Sequence, residues 1–462
     1  MRTEPSARAR RRTAPPAKRK NEWLSLSDSR RHHIGSSVTL YDYPVTNGDI
    51  ARVLAEVDRA RDEIIDFASR LVRIPTVNPP GADYETCAGV IGDQLRAHGA
   101  DVQLLPAIGR VEHTAEHPRI NVVGRHEGSA GGPAIHLNGH FDVVPVGLGW
   151  TRDPFGGEVV DGRLYGRGSC DMKAGLAAAV FAAAAIRRAG VAHAAPIEIS
   201  GTVDEESGGF AGVAWLAEHR WLSRERTKAV IIPEPFGVDR VCVGHRGVYW
   251  FEVIAEGRTA HGSMPYLGIN AVEGMSHLLD LVRDELGPAL YQRVTAMPVV
   301  PEGSRHATIN INGIDGGQPV DDVPSPCVAD RCRVVFDRRF LIEEGLDQTR
   351  AEIAALVTKA QSRMPAVTFS IEDRLIVEPT RAPEDAPLIG ALTSAIEQVT
   401  GRKASLVASP GTYDQKHVAR IAGVPHCVAY GPGELAIAHQ PDEYCSVDDI
   451  ITATKVIALA IL

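Results

Sequence analysis

The sequence predicts an α/β protein: one split domain with a mixed, mostly parallel sheet, interrupted by an inserted α+β domain with an antiparallel sheet. Three observations predict it. Between about residues 133 and 235, continuous apolar strand-like runs alternate with helical periodicity, which places strands in parallel with crossover helices. From about residue 244 the strand-like segments become half-polar with period two, the pattern of an antiparallel sheet with one wet face. From about 376 the β/α alternation resumes. The expected divisions are 1–50 for a basic tail and lead-in, 51–243 for the first part of the larger domain, 244–375 for the insert, and 376–462 for the second part.

Taken in order, residues 1–36 are rich in Arg, Pro and Ser without apolar periodicity, the composition of a disordered segment. Its twin arginines, as in "SRRHHIGSS", are not followed by the apolar stretch that export requires. The segment reads as a solvated tail or an over-long start rather than a nucleic-acid arm. "DIARVLAEVDRARDEIIDFASRLVRIP" carries apolar residues at helical spacing and stops at Pro75. The strand at 133–144 leads through a loop to the Ala-rich helix "MKAGLAAAVFAAAAIRRAG", ended by Gly190. The strand "PIEISGTVDEE", a helix and the strand "KAVIIPEP" follow. In the insert, "GHRGVYWFEVIAEG", "HATININGIDGG" and "VADRCRVVFDRRF" are strands, with helices near 270–286 and 343–362. A helix at 387–400, the strands "ASLVAS" and "PHCVAYG", and a closing helix from "SVDDIITATKVIALAIL" complete the chain, and no internal repeat is present.

The 462 residues suffice for two domains with a large core. A hydrophobic share of 44% and a charged share of 23% are those of a soluble globular protein. The net charge of −9 argues against nucleic acid or an anionic membrane as partner. No run of 18 apolar residues occurs, so no membrane span is expected. Seven scattered cysteines with no C-x-x-C pair read as reduced thiols in the cytoplasm.

The informative residues fall at strand ends. His140 and Asp142 end one strand and, two apart, share a face. Asp171 lies at the start of the Ala-rich helix, Glu205 and Glu206 end "PIEISGTVDEE", Glu234 ends "AVIIPEP", and His439 follows the last core strand. Each alone has an ordinary reading: a structural histidine, a helix cap, a solvated loop. Together they are five strand-end loops bearing carboxylate or imidazole with no competing lysine, at the strand ends where open α/β sheets bind ligands. Carboxylates so gathered repel unless a cation neutralises them, and this donor set suits one or two divalent ions of the zinc kind. In an extended segment Glu205 and Glu206 would point opposite ways, one to metal and one to substrate.

The chain resembles the M20 metallopeptidases, most closely the acetylornithine deacetylase and succinyl-diaminopimelate desuccinylase branch. The resemblance rests on "LVRIPTVNPPG", "HLNGHFDVVP", "GRGSCDMKAG", "TVDEESGG", "PEP", "GHRG", "GRTAHGSMP", "GPG" and "AHQPDEY", in that order. It implies a zinc-peptidase-like catalytic domain, with the insert as a lid and dimerisation domain. It also implies two Zn2+ or Co2+ ions, His140 and Glu234 on one, Glu206 and His439 on the other, and Asp171 bridging. Asp142 would orient His140, Glu205 would be the general base, and the Asp171–Met172 peptide would be cis. His261, in "AHGSMP", would reach the active site of a partner subunit in a homodimer. Arg246 in "GHRG", Arg339 in "FDRRF" and Thr412 in "SPGTYDQKHV" would hold a substrate carboxylate, a guanidinium doing so bidentately; Asp414 would hold its loop. One departure stands out: the asparagine often found before a Val-Pro is not evident, and Asp321 or Pro326 occupies the alternative alignments.

The implied activity is hydrolysis of an N-acyl amino acid or related N-acyl amine. A dipeptidase or carboxypeptidase on the same scaffold is the near alternative, with the same metals and base. A metal-binding or dimeric protein without catalysis is the distant one, against which the presence of Glu205 and all five ligand positions stands.

Overall fold

The computed structural model describes residues 45–317 and 326–462. The expected disordered tail and Asp321 lie outside the described residues. α1 (Asn47–Arg59) opens on a capping box, in which Thr46 Oγ1 accepts from the Asp49 N–H and Asp49 accepts from the Thr46 N–H. α2 (Arg61–Val72) follows a break at Ala60, so the single helix expected up to Pro75 is two. The break lets both apolar stripes, Val53/Val57 and Ile64/Phe67/Leu71, reach one core. α3 (Tyr84–Ala97), β1 (Asp101–Pro106) and β2 (Ile120–His126) come next; apolar patterning did not announce them. β3 (Ala134–His140) is buried at every residue. β4 (Val159–Val160) and β5 (Arg163–Tyr165) begin a small separate sheet. α4 (Ala174–Arg188), β6 (Ile197–Thr202), the short α5 (Trp215–Glu218), β7 (Thr227–Ile232) and β8 (Arg240–His245) follow.

At Arg246 the chain passes into a second sheet. β9 (Gly247–Glu256), α6 (Ala271–Leu281), α7 (Gly287–Tyr291), β10 (Thr308–Gly316), β11 (Arg331–Phe340), α8 (Leu346–Arg363) and β12 (Thr368–Val377) lie here. Its four strands run β10-β11-β9-β12, every pairing antiparallel. Phe251 and Val253 of β9 and Phe336 of β11 pack with α6 and α8 residues such as Leu278 and Ile353. The alternate residues Val248 and Trp250 face the other way.

The chain then returns through β13 (Thr380–Arg381), α9 (Pro387–Thr400), β14 (Ser405–Ser409), α10 (Gln415–Arg420), β15 (Cys427–Ala429), β16 (Tyr444–Ser446) and α11 (Val447–Ala460). The large sheet has the order β1-β2-β6-β3-β7-β15-β8-β13, with β14 beside β8. Its centre, β6-β3-β7-β15, is parallel, and β14 is parallel to β8. The remaining pairings, towards both edges, are antiparallel. The parallel centre follows from the crossover through α4, because parallel neighbours need a long connection.

α4 is the central helix. Every residue from Ala174 to Ile186 is buried, and its alanines admit α1, α2 and α11 to close packing. The stretch Ser169–Arg188 has the length and hydropathy, 1.4, of a membrane span, yet its apolar window is wholly buried inside the protein. It is a core helix. Its first turn presses on the corner after β7: a Cβ at Gly175 would stand 1.9 Å from the Pro233 carbonyl oxygen. Alanine in a helix interior is ordinarily worth about 1 kcal/mol over glycine. Gly175→Ala should nonetheless destabilise, by about 1–3 kcal/mol as in other overpacked sites. Urea unfolding checks the sign.

Candidate metal centre and active site

His140 ends β3 only 1% exposed, its Nε2 3.1 Å from Asp171 Oδ1 and 3.8 Å from Glu234 Oε1. Across Asp171, His439 Nε2 lies 3.5 Å from Asp171 Oδ2 and 3.1 Å from Glu206 Oε1. The site is therefore two triads, His140/Asp171/Glu234 and Asp171/Glu206/His439, the ligand atoms of each within 4.8 Å of one another. Asp171 belongs to both. It lies in the turn before α4 with extended backbone (φ −117°, ψ 96°), so it points into the site and does not cap the helix. The Asp171–Met172 peptide is cis.

The triads are held by backbone-directed bonds. His140 Nδ1 lies 3.1 Å from the Asp142 carbonyl oxygen, which can only accept. The proton of a neutral His140 ring thus sits on Nδ1 and leaves the Nε2 lone pair facing Asp171 and Glu234. The Asp142 carboxylate stands farther from that ring, at 3.5 Å. Its oxygens accept instead from the backbone N–H groups of Glu205 and Glu206, each at 3.1 Å, and from Asn78 Nδ2 at 3.0 Å. Asp142 thus fixes the Glu205–Glu206 backbone more directly than the His140 ring. That backbone is not extended as expected. Glu205–Ser207 forms a 3-10 turn after Asp204, which adopts φ 60° and is held by Tyr84 and Arg119 at 2.9 and 3.0 Å. The divergence of Glu205 and Glu206 therefore comes from a turn, not from strand alternation.

Two further residues, Glu443 and Arg167, complete the frame. Glu443 accepts from the Cys170 and Asp171 N–H groups at 2.9 and 3.1 Å and pairs with Arg167 at 2.5 Å. Arg167 also donates to the His439 carbonyl at 3.2 Å. Both are essentially buried. They lie within "GRGSCDMKAG" and "AHQPDEY", but a pairing across 276 residues leaves no periodic trace.

The electrostatics are those of crowded anions. Burial, with the Asp171 charge, pushes the Glu234 carboxyl well up and Glu206 up to about 7. Burial also opposes ionisation of Asp171, but the hydrogen bonds of His140 and His439 outweigh it and hold that carboxyl low. For His439, burial is overcome by Asp171 and Glu206, which raise it to about 11. Within the triads, positive charge comes only from the imidazoles. Two divalent cations fit this set: each triad offers one imidazole and two carboxylates, and the shared Asp171 has an oxygen towards each.

Glu205 stands beside the triads without belonging to either. A lysine from outside the five strand-end loops reaches it: Lys416 Nζ, in α10, is 3.1 Å from Glu205 Oε1. Lys173 points away, to the Ile74 carbonyl. Glu205, Glu206, Gly411 and Thr412 line both of two adjoining cavities, and Arg339 lines the larger. Arg246 lines neither: it is buried and donates to the carbonyls of Ser304 and His306. His261 is exposed, takes hydrogen bonds from Ser263 and also lines neither cavity. Asp414 accepts from Asn138 at 3.0 Å and anchors the loop before α10.

Fold and site together define a two-sheet α/β scaffold with a candidate metal cage at the strand ends, largely buried and lining the smaller of two adjoining cavities. Residues 136–462 match the model of peptidase family M20/M25/M40, and the chain belongs to that family. A succinyl-diaminopimelate desuccinylase of Cupriavidus necator is 30% identical over 388 residues, which span 82% of this chain and 92% of that protein. Human carnosine dipeptidase 1 shares the fold with TM-score 0.71 at 20% identity, covering 89% of this chain and 98% of the other. A Bacillus subtilis dinuclear metal-binding peptidase of the M20 family shares it with TM-score 0.64 at 14% identity, covering 87% and 98%.

Arg167→Met would leave the Glu443 carboxylate buried without its partner. Loss of one member of such a pair costs about 3–5 kcal/mol. Urea unfolding should show that loss, and metal titration a weakened affinity, because Asp171 and His439 lose a common anchor.

Proposed function

We propose that the chain is a metal-dependent amidohydrolase that removes the acyl group from an N-acyl amino acid or a related N-acyl amine. The observation that carries this reading is Glu205, uncommitted to either triad, at the boundary where the two cavities meet the cage. The C. necator relative, a desuccinylase by name, supports a deacylase over a dipeptidase. His140 and Glu234 would hold one divalent ion and Glu206 and His439 the other, with Asp171 between them, Zn2+ or Co2+ suiting the donors. When bound, such ions polarise an amide carbonyl and acidify water.

The chain's own residues do the rest. Glu205 takes the proton of the attacking water as its oxygen bonds to the carbonyl carbon, then passes it to the nitrogen as the C–N bond breaks. Asp142 fixes the backbone that carries Glu205, and Lys416 fixes its carboxylate. Thr412 and Arg339 position the substrate. His261 acts in a second copy of the chain, a role its exposure away from its own cavities supports. The buried thiols of Cys87, Cys170, Cys242, Cys332, Cys427 and Cys445, none in a disulfide, suit a cytoplasmic location.

Glu205→Ala should keep its metal content, near two ions per chain, and lose turnover by about 10²–10⁴-fold; retained turnover removes the assignment. Chelation should abolish activity, and added Zn2+ or Co2+ should restore it. His261→Ala should also be inactive, and mixing its subunits with Glu205→Ala subunits should recover activity. A mixture that stays inactive rules out action across the dimer.

A further inference from the structure

The second sheet grips the first through one loop. Residues 292–307, between α7 and β10, run as two antiparallel legs: the Thr295 N–H donates to the Arg305 carbonyl at 3.0 Å and the Ala307 N–H to the Arg293 carbonyl at 3.1 Å. Their base is tied to the second sheet, where Glu343 accepts from Thr295 Oγ1 at 2.9 Å and Glu344 from Arg293 at 2.8 Å. The tip leaves that sheet. Met297 and Val299, 7% and 3% exposed, pack in the core of the large sheet and not in that of the second. There Val299 bridges Ala408 in parallel, and the Ala408 N–H donates to the Pro298 carbonyl at 2.7 Å. The tip thereby covers the edge of β14 that β8 leaves open.

Arg246 ties the returning leg to the same place. It is the single residue between β8 and β9, and it lies 5% exposed. Its guanidinium donates to the His306 carbonyl at 2.7 Å and to that of Ser304. Its own N–H donates to the Ser409 carbonyl at 3.4 Å. Burial, with the Arg339 charge, pulls the group down only to about 10, so it stays cationic at neutral pH and both side-chain bonds are charge-assisted. Beyond Ser409 the chain turns at once into the cavity lining. Ser409 Oγ accepts from the Gly411 N–H at 3.1 Å, and Gly411 and Thr412 line both cavities. Ala408 and Ser409 are thus held from two sides, by β8 with Arg246 and by the loop tip, immediately before that lining.

Resting on the deacylase reading above, we propose that Arg246 is a positioning residue for substrate binding: it sets the Gly411–Thr412 turn through the 292–307 loop and β14, without touching substrate. Loss of its carbonyl bonds frees the returning leg, the tip shifts against Ala408, and Thr412 loses its register with the cavities. Asp414, anchored on Asn138, insulates α10 and Lys416 from that shift. Glu205, held by Asp142 and Lys416, therefore keeps its place, and binding suffers more than chemistry.

The test uses the full-length, metal-loaded enzyme with a panel of N-acetyl and N-succinyl amino acids. Arg246→Met should raise KM at least about tenfold with kcat within about threefold, the signature of lost binding. Arg246→Lys, which keeps a cation to donate to the same carbonyls, should recover most of that loss. Val299→Ala at the tip should raise KM about threefold, and the double variant Arg246→Met/Val299→Ala should be no worse than Arg246→Met, because both act by one route. Hydrogen exchange over 405–412 should be at least about tenfold faster in Arg246→Met and unchanged over 134–140. Circular dichroism checks the fold; if Arg246→Met does not fold, Val299→Ala must by itself show the KM rise and the faster exchange. KM losses that multiply in the double variant, or unchanged exchange over 405–412, overturn the positioning role and leave the deacylase intact. Hydrolysis of none of the panel by the wild type overturns the deacylase reading, and exchange then decides the coupling alone.

Discussion

Buried negative charge is the constraint on which the active region depends. Asp171, Glu206 and Glu234 gather with Glu205 at the ends of the central strands, the triad atoms within 4.8 Å of one another. Two like charges at that distance repel by about 3–4 kcal/mol at an effective dielectric of 20. No side chain would stay there by its own preference. Most of the cluster is held through main chain: the Glu205 and Glu206 amides by Asp142, the Asp171 amide by Glu443, and the carbonyl of the neighbouring His439 by Arg167. Acceptors are spent on peptide groups so that the remaining oxygens stay directed at a common centre.

The same arrangement separates two kinds of carboxylate. Glu206 is turned into a triad, whereas Glu205, one residue earlier in a 3-10 turn, meets Lys416 and the cavities. One adjacent pair thus faces two ways, as the proposed division between metal binding and proton transfer needs, because a turn with Asp204 in a left-handed conformation rotates neighbours apart. Two adjoining cavities with different linings meet at Glu205 and Glu206. One side is built by the large sheet's loops, the other largely by the open face of the second sheet.

The strand-end cluster of imidazoles and carboxylates was legible in the sequence because β3, β6 and β7 are buried runs with abrupt polar ends. The two-sheet α/β architecture was legible from the change of period near residue 244. The Glu205–Ser207 turn was not, because Asp142, 63 residues away, dictates it. Lys416 was hidden for the same reason, its partner lying 211 residues earlier. Arg246 looked like a substrate clamp by position, but burial turned its guanidinium onto backbone carbonyls. The β1–β2 pair escaped notice because β1 is half exposed and carries no clean alternation.

The strand order carries a consequence for how the molecule forms. β7 and β8 are neighbours in sequence but not in space, since β15 lies between them and β14 flanks β8. Both late strands come from beyond residue 404, after the entire second sheet. Closing so long an intervening chain is entropically costly, and folds dominated by distant contacts form slowly. Until β15 docks, β7 and β8 offer bare edges to one another's copies, the usual route to misassembly. Glu234, His439 and the Arg167–Glu443 clamp join segments from both sides of the second sheet, so the cage is complete only once the late segment has docked.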